Sequence, residues 1–265
     1  MRNEGDGSFQ SVPAAYSPRE YWERVGRRMG LREEKRSLAG EESPFYDVKR
    51  SMFLEKLLQP IIGESAETFL EVGCGPGGNL AWLESRGVTA LGIDLTYAML
   101  QIARENELTR LVGGDGGAIP LHSGSVDAAM TVTVLQHNDD VAAAKIIGEL
   151  ARVARSHIHI FEDTGVVAAH RRASHWLRKP EWYIAELHKT HFRLLSKERL
   201  PLATSELLAN LLRSVARRHV PEGSAVPQKQ QNLEAQLLRF TTRVDSVIPP
   251  VVGLTRLSFV RSDAG

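Results

Sequence analysis

Short apolar runs and amphipathic segments alternate through the middle of the chain. Residues 69–72, 88–93 and 126–132 are apolar runs of strand length, and each adjoins a glycine or another turn-forming residue. Apolar residues recur at helical spacing between and after these runs, most clearly over residues 140–154. Because strands that alternate with helices pair in parallel through right-handed crossovers, the pattern predicts an α/β fold built on a parallel sheet.

Weaker patterns complete this region and continue on both sides of it. A helix is predicted from Ser17, which can cap it, and a second helix near residues 47–62. The other predicted elements are strands at 111–112, 157–161, 192–196 and 254–260, helices near 79–85, 97–105, 181–189, 205–218 and 233–247, and a loop at 220–231. The strand at 254–260 is expected to extend one edge of the sheet.

The charge of the chain gives little information about the class of molecule that it binds. Lys and Arg total 33 and Asp and Glu total 32 among 265 residues, so the net charge gives no reason to expect nucleic acid. Residues 164–220 nevertheless carry 11 Lys and Arg against four Asp and Glu. This excess fits a basic rim for an anionic substrate or solvated helix faces, and we favour the second interpretation.

Cysteine content and hydropathy indicate the compartment. Cys74 is the sole cysteine, so no intramolecular disulfide forms, as is usual in a reducing environment. Residues 1–13 lack the charged-then-apolar order of a signal peptide, and no run approaches the roughly 20 apolar residues that span a bilayer. We therefore expect a cytoplasmic protein without a membrane partner.

A glycine-rich turn follows the first central strand. The segment Phe-Leu-Glu-Val-Gly-Cys-Gly-Pro-Gly-Gly, residues 69–78, ends a strand and opens a helix. Glycines let a ligand approach the backbone closely at this edge of a sheet. Asp94 lies 19 residues beyond Gly75, at the end of the second strand, where a carboxylate can accept hydrogen bonds from ribose hydroxyls. These two features alone fit nicotinamide, flavin or S-adenosylmethionine (SAM) cofactors.

Two further segments distinguish between these cofactors. Gly114-Asp115 ends the third strand, where the carboxylate could accept from an adenine amino group. The fourth strand then runs into residues 133–137. In this order and spacing, the four motifs resemble those of class I SAM-dependent methyltransferases, especially the small-molecule branch that includes quinone-biosynthesis enzymes. The family places the segment that resembles residues 133–137 near the transferred methyl group. The resemblance covers about residues 67–163 well and the rest of the chain poorly.

The resemblance implies a Rossmann-like, seven-stranded, mostly parallel sheet with helices on both faces, N-terminal helices and a helical lid insertion. It implies SAM as the cofactor and divides the chain into a disordered tail (1–16), N-terminal helices or lid (17–62), a SAM-binding core (63–163) and substrate-side helices with terminal strands (164–265). The residues it assigns to the cofactor are Glu71, Gly73, Cys74, Gly75, Gly77, Asp94, Leu95, Asp115, Gly116 and Thr133.

Physical chemistry supports several of these roles. Backbone N–H groups of residues 73–77, at a helix N-terminus, can face the carboxylate of SAM, and Glu71 can balance its ammonium. Glu71 alternatively only pins the glycine turn. No P-loop lysine follows the glycines, so ATP hydrolysis is not supported. Cys74 is interpreted as a small packing residue, because no cationic neighbour in the sequence lowers its pKa.

Catalytic candidates are His137, Glu162 and Tyr21. Methyl transfer needs aligned reactants, and a base only where the acceptor loses a proton. His137 follows the fourth strand and is the first candidate for a base or orienting group, or else a structural histidine. Glu162, expected to end the fifth strand with Asp163, could bind an acceptor amine or ease a carbocation, or cap the next segment. Tyr21, beside Trp22, could close over the ligands or anchor its helix.

No metal site is predicted, because the histidines at 170, 175, 188 and 191 lack the spacing of a ligand set. His157 and His159 start the fifth strand and are interpreted as structural. The N-terminal helix makes self-association a candidate property.

The favoured function is methylation of an apolar or aromatic secondary metabolite, with Trp176, Trp182, Tyr183 and Phe192 lining a pocket or only packing helices. Absence of an assured base favours an electron-rich carbon, such as that of a prenylated indole in teleocidin-type C-methyltransferases of actinobacteria, where cyclisation can accompany transfer. Alternatives are an RNA or protein methyltransferase that uses the basic segment 164–220, a nicotinamide-dependent oxidoreductase, and a non-catalytic SAM-binding protein.

Overall fold

A seven-stranded sheet runs through the computed structural model, which describes residues 16–30, 43–63, 66–172, 175–216 and 227–262. The described residues form the strands β1 (Thr68–Val72), β2 (Thr89–Asp94), β3 (Leu111–Gly113), β4 (Val126–Val132), β5 (Ala154–Gly165), β6 (Ala169–Arg172), β7 (His175–Leu177), β8 (Phe192–Arg199) and β9 (Val252–Arg261). The predicted tail lies outside the described residues, except for residue 16.

The order of the strands in this sheet is β3-β2-β1-β4-β5-β9-β8. Neighbours from β3 to β5 pair in parallel, whereas β9 is antiparallel to both β5 and β8. The predicted α/β class with a mostly parallel seven-stranded sheet is therefore confirmed. The prediction that β9 extends an edge is wrong, because β9 lies between two strands. Its residues are buried on both faces, whereas β8 mostly alternates half-buried and exposed residues as an edge strand does.

Eight helices surround the sheet within the described part of the chain. They are α1 (Pro18–Gly30), α2 (Pro44–Met52), α3 (Gly78–Glu84), α4 (Tyr97–Glu105), α5 (Asp140–Val153), α6 (Pro180–His188), α7 (Ala203–Ala216) and α8 (Gln228–Asp245). The single helix predicted over 47–62 changes type, because α2 continues as a π-helical segment, Phe53–Leu58, and a 3-10 turn, Gln59–Ile61. Pro60 lacks the N–H that a regular α-helix requires there. None of these helices is long and apolar enough to cross a bilayer.

Two apolar layers cover the faces of the sheet. Strand β1 sends Leu70 and Val72 into one layer and Phe69 into the other, as the period of two along a strand requires. The parallel strands end at a common edge, called here the carboxyl edge. Strand β5 continues four residues beyond its predicted end at residue 161, so it projects past β4 there.

The segment after β5 departs from its predicted pattern. Strands β6 and β7 form a small antiparallel hairpin that periodicity did not indicate. The predicted loop at 220–231 is wrong where it is described, because α8 begins at Gln228. Helix α8 turns buried carboxylates inward: Glu234 accepts from Ser43 and the Phe45 N–H at the start of α2, and Asp245 accepts from Ser205 at the start of α7.

Candidate functional site

A cavity of about 200 Å³ opens at the carboxyl edge of β1, β2, β3 and β4, against helix α1. Of the ten residues predicted to bind the cofactor, nine line it, namely Glu71, Gly73, Cys74, Gly75, Asp94, Leu95, Asp115, Gly116 and Thr133. The tenth, Gly77, lies just outside the lining. The cavity is thus formed by the ends of four neighbouring strands, which parallel pairing brings together.

The glycine turn after β1 depends on conformations that favour glycine. Gly73 and Gly77 have φ angles of 75° and 87°. A Cβ atom on Gly73 would lie 2.3 Å from a methyl carbon of Val134, and one on Gly77 would lie 2.1 Å from Leu108. Gly77 therefore serves the close packing that starts α3, while Gly73 keeps the turn against the segment after β4. The N–H of Gly73 donates to the Ile93 carbonyl at 2.7 Å.

Asp94 is 8% exposed at the end of β2. One carboxylate oxygen accepts from the Gly75 N–H at 2.8 Å, and the other accepts from the backbone and hydroxyl of Thr96 at 2.9 and 2.7 Å. Burial raises the pKa of Asp94, against the lowering effect of these hydrogen bonds. The carboxylate therefore couples the glycine turn to the end of β2, and it borders the cavity.

Glu71 is 2% exposed and belongs to a polar chain beneath the glycine turn. Its Oε1 accepts from the Asn79 side chain at 2.5 Å, while Arg50 donates to Asn79 Oδ1 at 2.5 Å and to the Gly78 carbonyl at 3.1 Å. Among the described residues, Glu71 Oε2 has no hydrogen-bond partner although it is buried. Burial raises the pKa of Glu71 to about 8, and Asn79 and Arg50 oppose that effect. Sequence reasoning missed Asn79 and Arg50.

Cys74 and Asp115 complete the cofactor-side wall. Burial, followed by the charges of Asp94 and Glu71, raises the pKa of the Cys74 thiol well above its usual value. This environment keeps the thiol protonated, which agrees with a packing role. Asp115 accepts from the Gly117 N–H at 2.8 Å, a bond that shapes the turn after β3.

The turn after β4 is held by a buried carboxylate. Glu162, with no exposed surface, accepts from the N–H groups of Val134 and Leu135 at 2.8 Å each and from that of Gln136 at 3.1 Å. Thr133, which precedes these residues, has a φ of 54°, a rare conformation for a β-branched residue. Burial raises the pKa of Glu162 to about 8, against the three N–H groups. Glu162 does not line the cavity; it supports the turn that does.

A guanidinium holds the carbonyl side of the same turn. Arg178 is 1% exposed and donates to the carbonyls of Leu135 and Asn138 at 2.8 and 2.6 Å, and to Asp140 at 2.8 Å. Within residues 133–140, Glu162 therefore accepts from backbone N–H groups, and Arg178 donates to backbone carbonyls. The segment that supplies Arg178 had no clear periodicity, so sequence reasoning did not single it out.

His137 lines the cavity in contact with helix α1. Its ring meets the Trp22 ring edge-on, with centroids 5.0 Å apart, and the His175 ring at 5.8 Å. Tyr21, predicted to act with Trp22, packs on Trp22 and Tyr16 instead and does not line the cavity. Successive helical residues point about 100° apart, so only Trp22 of the pair reaches the ligand space.

Helix α1 is fastened to the cofactor side by polar and apolar contacts. Glu23 accepts from the Ala98 N–H at the start of α4, and Arg19 donates to the Leu95 carbonyl at 3.0 Å. Met29 packs against Met99 and other apolar residues of α4. These contacts keep Pro18 and Trp22 over the cavity.

The other aromatic and histidine candidates lie elsewhere. Tyr183 and Phe192 belong to the apolar core, and none of the quartet that includes Trp176 and Trp182 lines the described cavity. His159 is buried in β5 beside Ser258, and burial lowers its pKa to about 3. Within the described ranges, no three His, Cys, Asp or Glu side chains gather as a metal site would require.

Sequence comparisons find similarity to known proteins in the part of the chain that forms most of this cavity. Residues 70–161 match the family described as methyltransferase domain. The chain is 35% identical over 116 residues to an uncharacterised 37.1 kDa protein of transposon TN4556 from Streptomyces fradiae. It is 31% identical over 102 residues to the malonyl-[acyl-carrier protein] O-methyltransferase of Serratia marcescens. These matches cover 41% and 38% of the chain, and 33% and 39% of the relatives' own lengths.

A solved structure resembles a larger part of the chain. The geranyl diphosphate C-methyltransferase of Streptomyces coelicolor A3(2), in complex with Mg²⁺, geranyl diphosphate and S-adenosyl-L-homocysteine, matches with a TM-score of 0.59 at 14% identity. The match covers 94% of this chain and 100% of that one. At this identity, the likeness demonstrates a common fold.

Proposed function

We propose, from the methyltransferase-domain match over residues 70–161, that the chain is a class I SAM-dependent methyltransferase that transfers the methyl group of SAM to a small molecule. One observation supports the proposal most strongly. A buried carboxylate, Glu71, lines the cavity at the glycine turn with Oε2 unbonded by any described residue, and a second buried carboxylate, Asp94, borders the same cavity. An ammonium group and a ribose are the complementary partners.

The residues present fit SAM by their chemistry. Glu71 would bind the ammonium, the N–H groups of the glycine turn would face the carboxylate, Asp94 would accept from the ribose, and Asp115 from the adenine amino group. When bound, SAM supplies an activated methyl group on a sulfonium. These assignments agree with the roles that the family resemblance predicts.

The turn after β4 and helix α1 would organise the acceptor. Trp22, Thr133 and His137 line the part of the cavity that these elements form. Trp22 excludes water and orients the reactants, and His137 would accept a proton where the acceptor carries one. Glu162 and Arg178 keep this turn in place and act on the reaction through it.

For the acceptor, we propose an apolar or aromatic secondary metabolite, supported by the Trp22 side chain on the cavity wall. C-methylation of a prenylated indole is the finer form of this proposal, and product analysis would distinguish it from methylation on oxygen or nitrogen. The similar proteins differ in this respect, since one is named for malonyl-[acyl-carrier protein] and one for geranyl diphosphate. Cytoplasmic location, a natural-product role and self-association through α1 belong to the same proposal.

The structure gives less support to an RNA-binding face on residues 164–220. Arg178 of this segment is buried against a backbone turn, and Arg199 donates to Thr164, Thr255 and the Pro250 carbonyl. These two arginines therefore make contacts within the fold and are less available to bind the phosphates of RNA.

A ligand panel with a thermal-shift readout tests the proposed function. S-adenosylhomocysteine (SAH) at about 100 times its Kd should stabilise the protein by about 2.7 kcal/mol, whereas NADH should not stabilise it. Stabilisation by NADH alone would instead support an oxidoreductase. SAH binding without methylation of any acceptor in a labelled-methyl screen would support a non-catalytic protein.

SAH binding should depend on pH through Glu71. Because burial raises the pKa of Glu71 to about 8, the carboxyl carries a proton at neutral pH in the free protein. A bound ammonium favours the ionised form, so binding should release this proton, and affinity should rise with pH, by up to about tenfold per unit between about 6 and 8. Calorimetry in buffers of different ionisation enthalpy measures the release, which Glu71→Gln should abolish.

Asp127 provides the matched control for this experiment. Hydrogen bonds from Thr68 lower the pKa of Asp127, so its carboxylate stays ionised across the tested range. Asp127→Asn should therefore leave the pH dependence unchanged. A wild-type affinity that is flat over this range would place the ammonium away from Glu71.

A further inference from the structure

Helix α8 buries several polar residues and exposes several apolar ones. Its buried face carries Glu234, Thr241 and Asp245 beside Leu238. Leu233 and Phe240 are 46% and 67% exposed. With the half-buried Leu237 and Val244, they recur every three or four residues and form one stripe, called here the α8 stripe. Exposed apolar surface of this extent usually marks a contact with another molecule.

The α8 stripe leads to the carboxyl edge of the sheet. Val247, Ile248 and Val251 lie between α8 and β9, and they are 78%, 48% and 57% exposed. Val166 and Val167, 64% and 66% exposed, follow directly after β5. Because Gly165 of β5 pairs with Val252 of β9, the two groups emerge beside each other. These five residues form an apolar rim on the same edge of the sheet as the cavity.

The charge on α8 is one-sided. Lys229, Arg239 and Arg243 are all exposed, whereas the two acidic residues of the helix, Glu234 and Asp245, are buried. By helical geometry the three cations lie along the side next to the α8 stripe. An apolar stripe with Lys and Arg at its border is the pattern of helices that lie in an anionic lipid interface. A second copy of α8 would instead bring these cations close to one another.

We propose that the α8 stripe and the apolar rim bind an anionic lipid surface. Contact through the rim would turn the carboxyl edge, and with it the cavity, towards the lipid. The proposal goes beyond the proposed function and does not depend on it, although an apolar acceptor would be concentrated at such a surface. It requires no membrane-spanning helix, since a helix lying in the interface buries only one face.

Vesicle co-sedimentation of the full chain tests the proposal. Binding is expected to vesicles containing anionic phosphatidylglycerol, to be weaker with phosphatidylcholine alone, and to fall as salt is raised. Phe240→Asp should weaken partitioning about tenfold or more. Exchange of Arg239 and Arg243 for Gln should weaken it about 30-fold on anionic vesicles, at roughly 1 kcal/mol for each cation.

Leu195 supplies a matched control for the apolar substitution. It is 48% exposed on the edge strand β8, away from α8, so Leu195→Asp should leave partitioning unchanged. SAH-induced stabilisation, measured on every variant, reports the cofactor site separately from the lipid contact. Equal partitioning of wild type and Phe240→Asp, or no binding to anionic vesicles, overturns the proposal. A dimer in sedimentation velocity that Phe240→Asp dissociates would also overturn it, in favour of a second copy.

Discussion

Replacement of Asp94 by alanine is expected to weaken SAH binding about 100-fold or more. The substitution removes a carboxylate that, under the proposed function, accepts from the ribose. It also leaves the N–H groups of Gly75 and Thr96 without their acceptor, which loosens the glycine turn. A hydrogen bond to a charged group is worth about 1.5–3 kcal/mol. The loss of two such bonds from the ribose hydroxyls therefore accounts for an SAH affinity that is about 100-fold weaker. Titration calorimetry with SAH measures the change directly.

Asp127 again offers a matched carboxylate, this time for Asp94. It accepts from the N–H groups of Glu67 and Thr68 but lies at the opposite end of β4 from the cavity. Asp127→Ala should lower the free energy of unfolding about as much as Asp94→Ala does, yet it should change SAH affinity by no more than about twofold. If Asp94→Ala bound SAH as the wild type does, the ribose would have to lie elsewhere.

Glu162→Gln should destabilise the fold by about 3 kcal/mol, although the side chain keeps its size. The new amide nitrogen cannot accept a hydrogen bond, so it cannot satisfy all three N–H groups that Glu162 serves. Urea unfolding measures the loss. Hydrogen exchange should speed up at the amides of Val134, Leu135 and Gln136, before exchange in the rest of the sheet changes.

Glu149 distinguishes a local effect from a general one. Its carboxylate also binds a backbone N–H, that of Ile119, together with Arg152, but it does not contact the turn after β4. Glu149→Gln should leave exchange at residues 134–136 as in the wild type. Unchanged exchange and stability in Glu162→Gln would show that the turn is held mainly by Arg178.

The cofactor side of the cavity could be predicted because its determinants are short-range. The glycine turn follows its strand directly, and Asp94 and Asp115 end the next two strands. Parallel pairing places such strand ends side by side, so local motifs predict a common site. The part of the chain that carries these motifs matches the family described as methyltransferase domain over residues 70–161.

The supports of the site could not be predicted in the same way. Arg178 reaches Leu135 across 43 positions of sequence, and Arg50 reaches Asn79 across 29, so no spacing rule connects them. Glu162 was expected at the end of β5. Here the strand continues, since the amides of the neighbouring turn satisfy the carboxylate. Three-dimensional pairing, not local pattern, decides such cases.

Two predictions for the second half of the chain were wrong for the same physical reason. Strand β9 was expected at an edge, although Thr255 and Ser258 within it are buried and mark a strand covered on both faces. The predicted start of helix α8, Leu233, lies five residues after the observed start, because the buried face of the helix carries acidic residues that cap other helices. In each case, buried polar residues with specific partners reversed the usual relation between polarity and exposure.

The interior position of β9 affects how the sheet can assemble. This strand is synthesised after all the others described, yet β8 joins the sheet only through it. Until residues 252–261 leave the ribosome, the nine residues of β5 that pair with β9 present an unpaired edge, and β8 has no strand to pair with. Such edges are templates for aggregation, and late long-range pairing slows folding. A nascent chain halted before residue 252 should therefore bind holdase chaperones far more than the finished protein does.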